Sequence, residues 1–289
     1  MRKLLAAIAA VLTVLAATTV TASADVAQPL GSAPVPAGPA PNWLIADLDS
    51  GQVLAEQNGY AVTPPASTIK VLLALVVLDE LNLDDAVVAT PADTAVECNC
   101  VGLKPGRSYT ARQLLEGLLL VSGNDAANAL ADMLGGPEVT VAKMNAKAAA
   151  VGATNTHAST PSGLDGPGGP GGSTPHDLAA IFRAAMANPV FAQITAQPSA
   201  MFPTESGERP IVNMNELLAR YPGAFGGKTG FTDAARKTYV GAASRDGRRL
   251  VVAMMYGLIH EGGPTYWDQA SALLDWGFAQ GPMSGVGSL

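Results

Sequence analysis

The sequence predicts an α/β (α+β) fold built on one antiparallel sheet. Strand-like segments occur near the amino terminus and again after Gly223, whereas helical patterns dominate the middle of the chain. A doubly wound parallel sheet needs strands and helices to alternate throughout. The separation seen here favours an antiparallel sheet made from N- and C-terminal strands, with flanking helices and a helical insertion.

The strands at the two ends of the chain carry their own turn signals. Trp43 to Asp47 and Val53 to Glu56 are predicted to form a hairpin around the turn "DSG". Near the C-terminus, "GGKTGFT", "KTYVGAASR" and "RRLVVAMMYG" predict three more strands. The Asp246-Gly247 pair is a strong hairpin turn between the last two of them.

The helices are predicted from long apolar or periodic segments. Ala66 to Leu83 is mostly apolar, which predicts a buried helix. "TARQLLEGLLLVSGNDAANALADMLGG" predicts two helices interrupted at Ser122 to Asn124. Further helices are predicted for "VTVAKMNAKAAAVG", "HDLAAIFRAAMANP" and the closing "YWDQASALLDWGFA", and residues 159–175 predict a long Gly/Pro-rich loop.

The first 24 residues have the pattern of a secretory signal peptide. A basic start is followed by an apolar stretch and by small residues at Ala22 and Ala24, as at a cleavage site before Asp25. An uncleaved membrane anchor is the alternative. The rest divides into a Pro/Ala-rich linker outside the core (25–42), a single domain (43–280) and a C-terminal tail (281–289). We therefore expect an exported protein, in the periplasm or cell wall or secreted, with no stable membrane anchor.

Composition and charge narrow the range of partners. The chain has 289 residues, 48% of them hydrophobic, which is ample for one large core. Cleavage after Ala24 would remove two basic residues and no acids, changing the formal net charge from −7 to −9. An acidic protein without a basic run is a poor candidate for binding nucleic acid or anionic lipid. Small molecules or neutral polymers are the expected partners, and a monomer is expected.

The two cysteines, Cys98 and Cys100, lie in "ECNCVG". An even pair outside the cytoplasm favours a disulfide. The short spacing argues against one, because a C-x-C ring strains the preferred bond geometry. The sequence leaves free thiols as the alternative to a slightly favoured disulfide. With three histidines and none near this motif, neither a metal site nor any cofactor is indicated.

The stretch "PPASTIK" places Ser67 three residues before Lys70 at the start of the first apolar helix. Residues three apart share a helix face, so the hydroxyl and the amine would be in contact. A hydroxyl beside an amine in a partly buried place is the arrangement of an activated nucleophile. Alternatively, Ser67 caps the helix and Lys70 extends its amine to solvent.

Two further motifs favour the activated nucleophile over the helix cap. Ser122-Gly123-Asn124 lies where a helix breaks, and Lys228-Thr229-Gly230 lies on a predicted strand. S-x-x-K, S-x-N and K-T-G, in that order, match the signature of class A β-lactamases and penicillin-binding proteins. Each motif also has its expected structural context. Asn124 could serve as a helix cap as well as contact a substrate.

With these motifs, nearly the whole chain after residue 24 resembles the low-molecular-weight penicillin-binding proteins. The similarity is closest to the serine D-alanyl-D-alanine carboxypeptidases of the S11-type peptidase family, through "PPASTIKVLLALVVLDEL", "LLEGLLLVSGNDAANALA" and "YPGAFGGKTGFTDAARKTYVGAAS". The resemblance implies a β-lactamase/serine-transpeptidase-like fold. It also implies a hydrolase that acts on peptidoglycan stem peptides ending in D-Ala-D-Ala and that is inhibited covalently by β-lactams.

The resemblance implies a role for each motif residue. Ser67 would form the acyl-enzyme, Lys70 would take its proton, and Ser122 would relay a proton to the leaving D-alanine. The expected substrate-binding residues are Asn124, Lys228, Thr229 and the Phe231 N–H, which would be the second oxyanion donor beside that of Ser67. For Lys70 to act as a base its pKa must fall, and burial beside Lys228 would lower it.

The sequence departs from the family in two respects. Many members carry a second, β-rich domain and a C-terminal membrane-binding helix, and neither is expected here. The best-known members also place an arginine beyond the last strand to hold the substrate carboxylate. The matching stretch, "YGLIHEGGPTYW", has none. Arg236 or Lys237 could replace it, or Lys228 and Thr229 could suffice.

The main hypothesis is thus a secreted serine D,D-carboxypeptidase. The alternatives are a serine β-lactamase or a D,D-endopeptidase of the same fold, and a non-catalytic wall-binding protein. Class A lactamases deacylate with a glutamate. The corresponding stretch from Val139 to Thr204 contains none, and its loop offers only Asp165. This absence favours the carboxypeptidase over the lactamase.

Overall fold

The computed structural model describes residues 26–166, 168–257, 263–281 and 285–289. The predicted signal peptide, residues 1–24, lies outside this range. Within the described residues no helix has the length and apolarity needed to cross a bilayer.

Strands from both ends of the chain meet in one central sheet. The strands are β1 (Asn42–Asp47), β2 (Gln52–Gln57), β3 (Ala86–Val88), β4 (Ser108–Thr110), β5 (Ser199–Thr204), β6 (Gly207–Val212), β7 (Ala224–Thr232), β8 (Arg236–Arg245), β9 (Arg248–Gly257) and β10 (Gly287–Ser288). The central sheet has the order β10-β2-β1-β9-β8-β7, with every pair antiparallel. The join between the two ends of the chain is the β1–β9 pairing, with Asn42 opposite Met255 and Asp47 opposite Leu250. The predicted fold class is therefore confirmed.

Helices cover both faces of this sheet. They are α1 (Lys70–Glu80), α2 (Pro91–Thr94), α3 (Ala111–Leu120), α4 (Asn124–Met133), α5 (Pro137–Ala150), α6 (Pro175–Met186), α7 (Pro189–Ala196), α8 (Leu217–Arg220) and α9 (Tyr266–Ala279). Alternate residues of β1 point to opposite faces, as the period of a strand requires. Leu44 belongs to the larger core beneath α1 and α6, whereas Trp43 packs with Trp267 of α9 in a second core.

The first long helix differs from its predicted extent. Ala66–Ile69 forms a 3-10 turn, α1 begins at Lys70, and Leu81 is already extended. The helix ends early because the Asp85 carboxylate accepts hydrogen bonds from the backbone and side-chain amides of Asn82. Such local side-chain contacts compete with continued helix formation.

Several short elements were not predicted from the sequence. These are the β3–β4 and β5–β6 ribbons and the helices α2, α7 and α8. In the β5–β6 ribbon, Pro203 and Pro210 argue against a strand in a sequence reading, but both are tolerated in a two-stranded ribbon that has only edges. For α7 the signal was present, since Asn188 caps the helix and Pro189 opens it.

The predicted linker and tail are both in contact with the folded chain, and for the linker this corrects the expectation that it lies outside the core. Ala27 pairs with Glu56 of β2, the Trp276 indole donates to the Ala33 carbonyl oxygen, and Ala40 is buried in the second core. At the other end, β10 pairs with β2 at the edge of the sheet. The outer edge of β2 therefore pairs with both segments, which cover backbone groups that would otherwise be exposed at the edge of the sheet.

Candidate active site

The three sequence motifs converge on one cleft. Ser67 lies in the 3-10 turn before α1, Ser122 between α3 and α4, and Lys228 on β7. The cleft has a volume of ≈ 420 Å³, and its lining includes Ser67, Ser122, Asn124 and Thr229. A second cavity, of ≈ 460 Å³, lies elsewhere, lined by residues such as Arg183 and Arg249 and by none of the motif residues.

The backbone before Ser67 is held in an uncommon conformation. Ala66 has φ = 48°, a value that non-glycine residues adopt rarely. The Pro65 carbonyl oxygen accepts hydrogen bonds from the Thr68 and Thr238 hydroxyls, at 2.6 and 2.9 Å. These hydrogen bonds connect Pro65 to Thr68 within the turn and to Thr238 of β8. They fix the place from which the Ser67 side chain enters the cleft.

Two glycines allow neighbouring backbone to approach this turn. A Cβ on Gly163 would collide with the Ala66 carbonyl group, and Gly163 also has φ = 82°. A Cβ on Gly230 would lie 2.9 Å from the Ser67 nitrogen. The loop that carries Ser162 and the K-T-G strand can therefore both lie directly against the 3-10 turn.

Lys70 is fully buried and makes three polar contacts. Its Nζ atom lies 2.8 Å from Ser67 Oγ, 2.7 Å from Asn124 Oδ1 and 2.7 Å from the Ser162 carbonyl oxygen. The helix spacing of Ser67 and Lys70 thus does bring hydroxyl and amine together. Ser162 was not a sequence candidate, because a backbone carbonyl contributes without any signature in its side chain.

The pKa values of both buried lysines are depressed. Burial lowers the pKa of Lys70 well below its usual value, the charge of Lys228 lowers it further, and Asp125 opposes the shift. Burial also lowers the pKa of Lys228, to about 7. Desolvation disfavours the charged form of an amine. The direction of the Lys70 shift and the contribution of Lys228 are as the sequence predicted.

Ser122 connects Lys228 to the cleft. The Lys228 Nζ atom donates to Ser122 Oγ at 2.8 Å and to the Thr229 carbonyl oxygen at 2.7 Å. Ser122 itself has φ = 61° and is nearly inaccessible. The break between α3 and α4 therefore presents this hydroxyl between a buried amine and the cleft.

Asn124 differs from the sequence interpretation in one respect. It is the first residue of α4, whose cap is Gly123, and its side chain makes no capping hydrogen bond. Its Oδ1 atom instead accepts from Lys70, and its Nδ2 atom donates to the Glu97 carbonyl oxygen at 2.7 Å. The capping role suggested for Asn124 is therefore wrong, and the amide is used at both ends by protein groups.

The far end of the cleft is aromatic and includes a cationic side chain. Phe231, Lys237 and Tyr266 contribute to its lining. Lys237 lies opposite Phe231 in the β7–β8 pairing, with its Nζ atom 4.9 Å from the centre of the Phe231 ring. Arg236, the other sequence candidate for the substrate carboxylate, is not among the residues that line the cleft.

Cys98 and Cys100 form a disulfide, as the sequence slightly favoured. The position of this disulfide in the fold was not predicted. Glu97, Cys98 and Asn99 form part of the cleft wall, beside Asn124. In the described residues no group of histidine, cysteine and acidic side chains is arranged to hold a metal ion.

Comparison with known proteins gives consistent matches. Residues 31–257 match the family model of the D-alanyl-D-alanine carboxypeptidases, peptidase S11. The chain is 75% identical over 268 residues to the D-alanyl-D-alanine carboxypeptidase DacB2 of Mycobacterium tuberculosis, covering 93% of this chain and 92% of that protein. The Escherichia coli enzyme DacA is 32% identical over 84% of this chain, which spans 62% of its length.

Solved structures agree with the sequence matches. A D-alanyl-D-alanine carboxypeptidase from Mycobacterium tuberculosis superimposes with a TM-score of 0.90 at 74% identity, covering 91% of this chain and all of that one. The Streptomyces K15 DD-transpeptidase gives a TM-score of 0.79 at 30% identity, covering 86% of this chain and all of that one.

Proposed function

The chain belongs to the D-alanyl-D-alanine carboxypeptidase family of serine peptidases, and from this premise we propose that it removes the terminal D-alanine from peptidoglycan stem peptides through an acyl-enzyme on Ser67. The observation that carries the proposal is the 2.8 Å contact between Ser67 Oγ and the buried Lys70 amine. No histidine takes part in the described contacts of either residue. The amine is the group placed to take the serine proton.

The other contacts of Lys70 support its role as the base. A neutral amine has two N–H groups and one lone pair. Asn124 Oδ1 and the Ser162 carbonyl oxygen can only accept hydrogen bonds, so they take the two N–H groups. The lone pair is then left for the Ser67 hydroxyl. Once protonated, the ammonium has three N–H groups for the same three acceptors, so proton transfer needs no rearrangement.

The oxyanion would form between Ser67 and β7. The Ser67 N–H and the Phe231 N–H are the proposed donors, and the close approach at Gly230 supports their convergence. Two backbone donors held by a 3-10 turn and a sheet strand are fixed before the substrate binds. Such preorganised donors stabilise the tetrahedral intermediate without moving in the reaction.

Protonation of the leaving D-alanine is assigned to Ser122. Its hydroxyl accepts a hydrogen bond from Lys228, which leaves its own proton free to point into the cleft. With a pKa of about 7, Lys228 can hold or release a proton near neutral pH. The pair would deliver a proton to the leaving amine and recover one from the water that hydrolyses the ester, while Lys70 returns its proton to Ser67.

The terminal carboxylate of the substrate would lie between Thr229 and Lys237. Thr229 and Lys237 both line the cleft, two strand positions apart in register. Burial leaves Lys228 only partly charged at neutral pH, so a second cation is needed for full charge complementarity. We assign that part to Lys237, whose amine is held beside the Phe231 ring.

Export is the remaining part of the proposal. It is supported by the signal-peptide pattern of residues 1–24 and by the presence of a disulfide. The mature protein would begin at Asp25, with 25–42 as an N-terminal segment, 43–280 as the catalytic domain and 281–289 as the tail. Amino-terminal sequencing of the protein recovered outside the cytoplasm tests this, and an intact Met1 would contradict it.

The test of the acyl-enzyme is the time course of labelling by benzylpenicillin. The lactam would acylate Ser67 because its amide resembles the scissile D-Ala-D-Ala bond. Asp165, the acid of the 159–175 loop, is exposed, and no glutamate occurs from Val139 to Thr204. Without a placed carboxylate to drive water onto the ester, deacylation should be slower by about 10²–10⁴ than in a class A lactamase.

Intact-protein mass spectrometry should therefore show a one-to-one adduct that persists for minutes or longer, with Ser67→Ala as the unlabelled control. Rapid return to free enzyme with continued penicillin consumption would make the protein a lactamase. No adduct at all, with an intact fold, would favour the non-catalytic alternative.

A further inference from the structure

We propose that the Cys98–Cys100 disulfide is a positioning element for the general base, acting through Asn124. The inference rests on the proposed function, because its test measures the acylation of Ser67. It concerns a feature of this chain outside the three catalytic motifs. It follows from the way the disulfide segment, residues 97–103, wraps around the first turn of α4.

The orientation of the Asn124 amide is set by the residue next to Cys98. The Glu97 carbonyl oxygen accepts a hydrogen bond from Asn124 Nδ2 at 2.7 Å. A backbone carbonyl cannot donate, so this contact holds the amide nitrogen on the Glu97 side. The amide oxygen must then face Lys70, where it accepts at 2.7 Å. If the amide turned over, Lys70 would lose an acceptor and meet a second donor.

The two ends of the disulfide segment are held differently. Beyond the disulfide, the backbone amides of Val101, Gly102 and Leu103 all donate to the buried Asp125 carboxylate, at 2.8–2.9 Å. Before it, Glu97, Cys98 and Asn99 are exposed. Their described contacts with α4 are the Glu97–Asn124 hydrogen bond and one from the Asn124 N–H to the Asn99 carbonyl oxygen.

The disulfide joins the weakly held part of the segment to the firmly held part. Cys100 is adjacent to Val101, whose amide is fixed by Asp125, and Cys98 is adjacent to Glu97. The cross-link restricts the conformations open to residues 98–100. It therefore limits how far the Glu97 carbonyl can move from Asn124. The disulfide thus restrains the Glu97 carbonyl, which orients the Asn124 amide. The amide in turn positions the Lys70 amine.

The test is a double-mutant cycle on the rate of acylation by benzylpenicillin. The Cys98→Ser/Cys100→Ser variant should fold, because Asp125 still anchors the segment, and should acylate about ten- to a hundredfold more slowly, as expected when a catalytic contact is misplaced. In an Asn124→Ala background the same cysteine changes should have almost no further effect, since the group they act through is gone.

Asn128→Ala is the matched control for the cycle. Asn128 lies one turn further along α4 and likewise donates from its amide to a backbone carbonyl, that of Asp93. In this background the cysteine changes should retain their full effect. Equal losses in the Asn124→Ala and Asn128→Ala backgrounds would overturn the proposal, as would no loss in the wild-type background.

A second measurement avoids the cysteine variants. A dithiol converts the disulfide to two thiols while it is itself oxidised to a cyclic disulfide. The reduced wild-type protein should show the same slowing, and the reduced Asn124→Ala protein should not. An unchanged acylation rate in fully reduced wild-type protein would also overturn the proposal. If the oxidised wild-type protein were not acylated at all, the proposed function would fail instead.

Discussion

At the scale of single residues, the proposed site contains two amines that are buried from solvent. Lys70 and Lys228 are 0% and 1% exposed, and both have depressed pKa values. A buried amine is neutral more readily than an exposed one, and only the neutral form can accept a proton. Burial of these two amines is unfavourable for the stability of the fold, but it lowers their pKa values and so enables the proposed chemistry.

Removal of the proposed base should slow acylation strongly without unfolding the protein. Lys70→Ala should slow acylation by penicillin by about 10²–10⁴, the range that a positioned base supplies. Lys143→Ala, which removes an ion pair with Glu80 far from the cleft, is the matched control and should acylate normally. The measurement is adduct mass against time. A Lys70→Ala variant that keeps most of the wild-type rate would show that another group is the base.

The burial of Lys228 should appear in the pH dependence of stability. Its folded pKa, about 7, lies below the ordinary 10.5, so the unfolded state binds more protons between these pH values. The contribution of Lys228 to the free energy of unfolding therefore rises as the pH increases from about 7 to 10.5. Relative to Lys228→Met, the unfolding free energy of the wild type should increase by about 1 kcal/mol per pH unit.

Denaturant unfolding of both proteins at pH 7, 8 and 9 measures this difference. A difference that stays constant across the series would mean that Lys228 is not neutralised by burial in the folded protein.

At the scale of elements, the β7–β8 pair presents both the K-T-G motif and Lys237. Lys237→Ala should raise KM for a D-Ala-D-Ala peptide about tenfold, equivalent to 1.4 kcal/mol, because the carboxylate loses a cation. Lys237→Arg should restore most of the affinity. Arg236→Ala, which removes the neighbouring cation outside the cleft, should change little.

Steady-state kinetics should also be measured with the same peptide carrying a C-terminal amide in place of the carboxylate. This comparison separates recognition of the carboxylate from other contacts of Lys237. If Lys237 recognises the carboxylate, Lys237→Ala should not weaken binding of the uncharged amide. An equal rise in KM for both peptides would assign Lys237 to packing of the aromatic end instead.

Some features of the elements and of the candidate site could be predicted from the sequence, and others could not. The strands at both ends, the break at Ser122 and the spacing of Ser67 and Lys70 follow from local patterns, and the structure places them as predicted. The Ser162 carbonyl and the Glu97 carbonyl could not be predicted. Backbone atoms carry no sequence signal, and their positions depend on close packing between distant segments.

Errors at element boundaries had local causes. The 3-10 turn before Lys70 and the early end of α1 result from hydrogen bonds by Thr68 and Asp85 that compete with the helix. The capping role suggested for Asn124 was wrong because the residue lies one position inside the helix. In that position its amide is free to reach Lys70.

At the scale of the whole molecule, the sheet brings together motifs that are far apart in the chain. Ser67 and Lys228 are separated by most of the helical region, yet β7 lies against the 3-10 turn that carries Ser67. The β1–β9 pairing closes the sheet and holds these two ends in register. The proposed site therefore requires segments from both ends of the chain, because no single segment contains the proposed base, the proposed nucleophile and the strand of the proposed oxyanion donor.

The most direct test of the central claim is the release of free D-alanine from a peptide that ends in D-Ala-D-Ala. The wild-type protein should release one D-alanine per peptide and leave a product one residue shorter. Ser67→Ala should release none while binding the peptide. D-alanine release by the Ser67→Ala variant, or no release by a wild-type protein that is acylated by penicillin, would contradict the account.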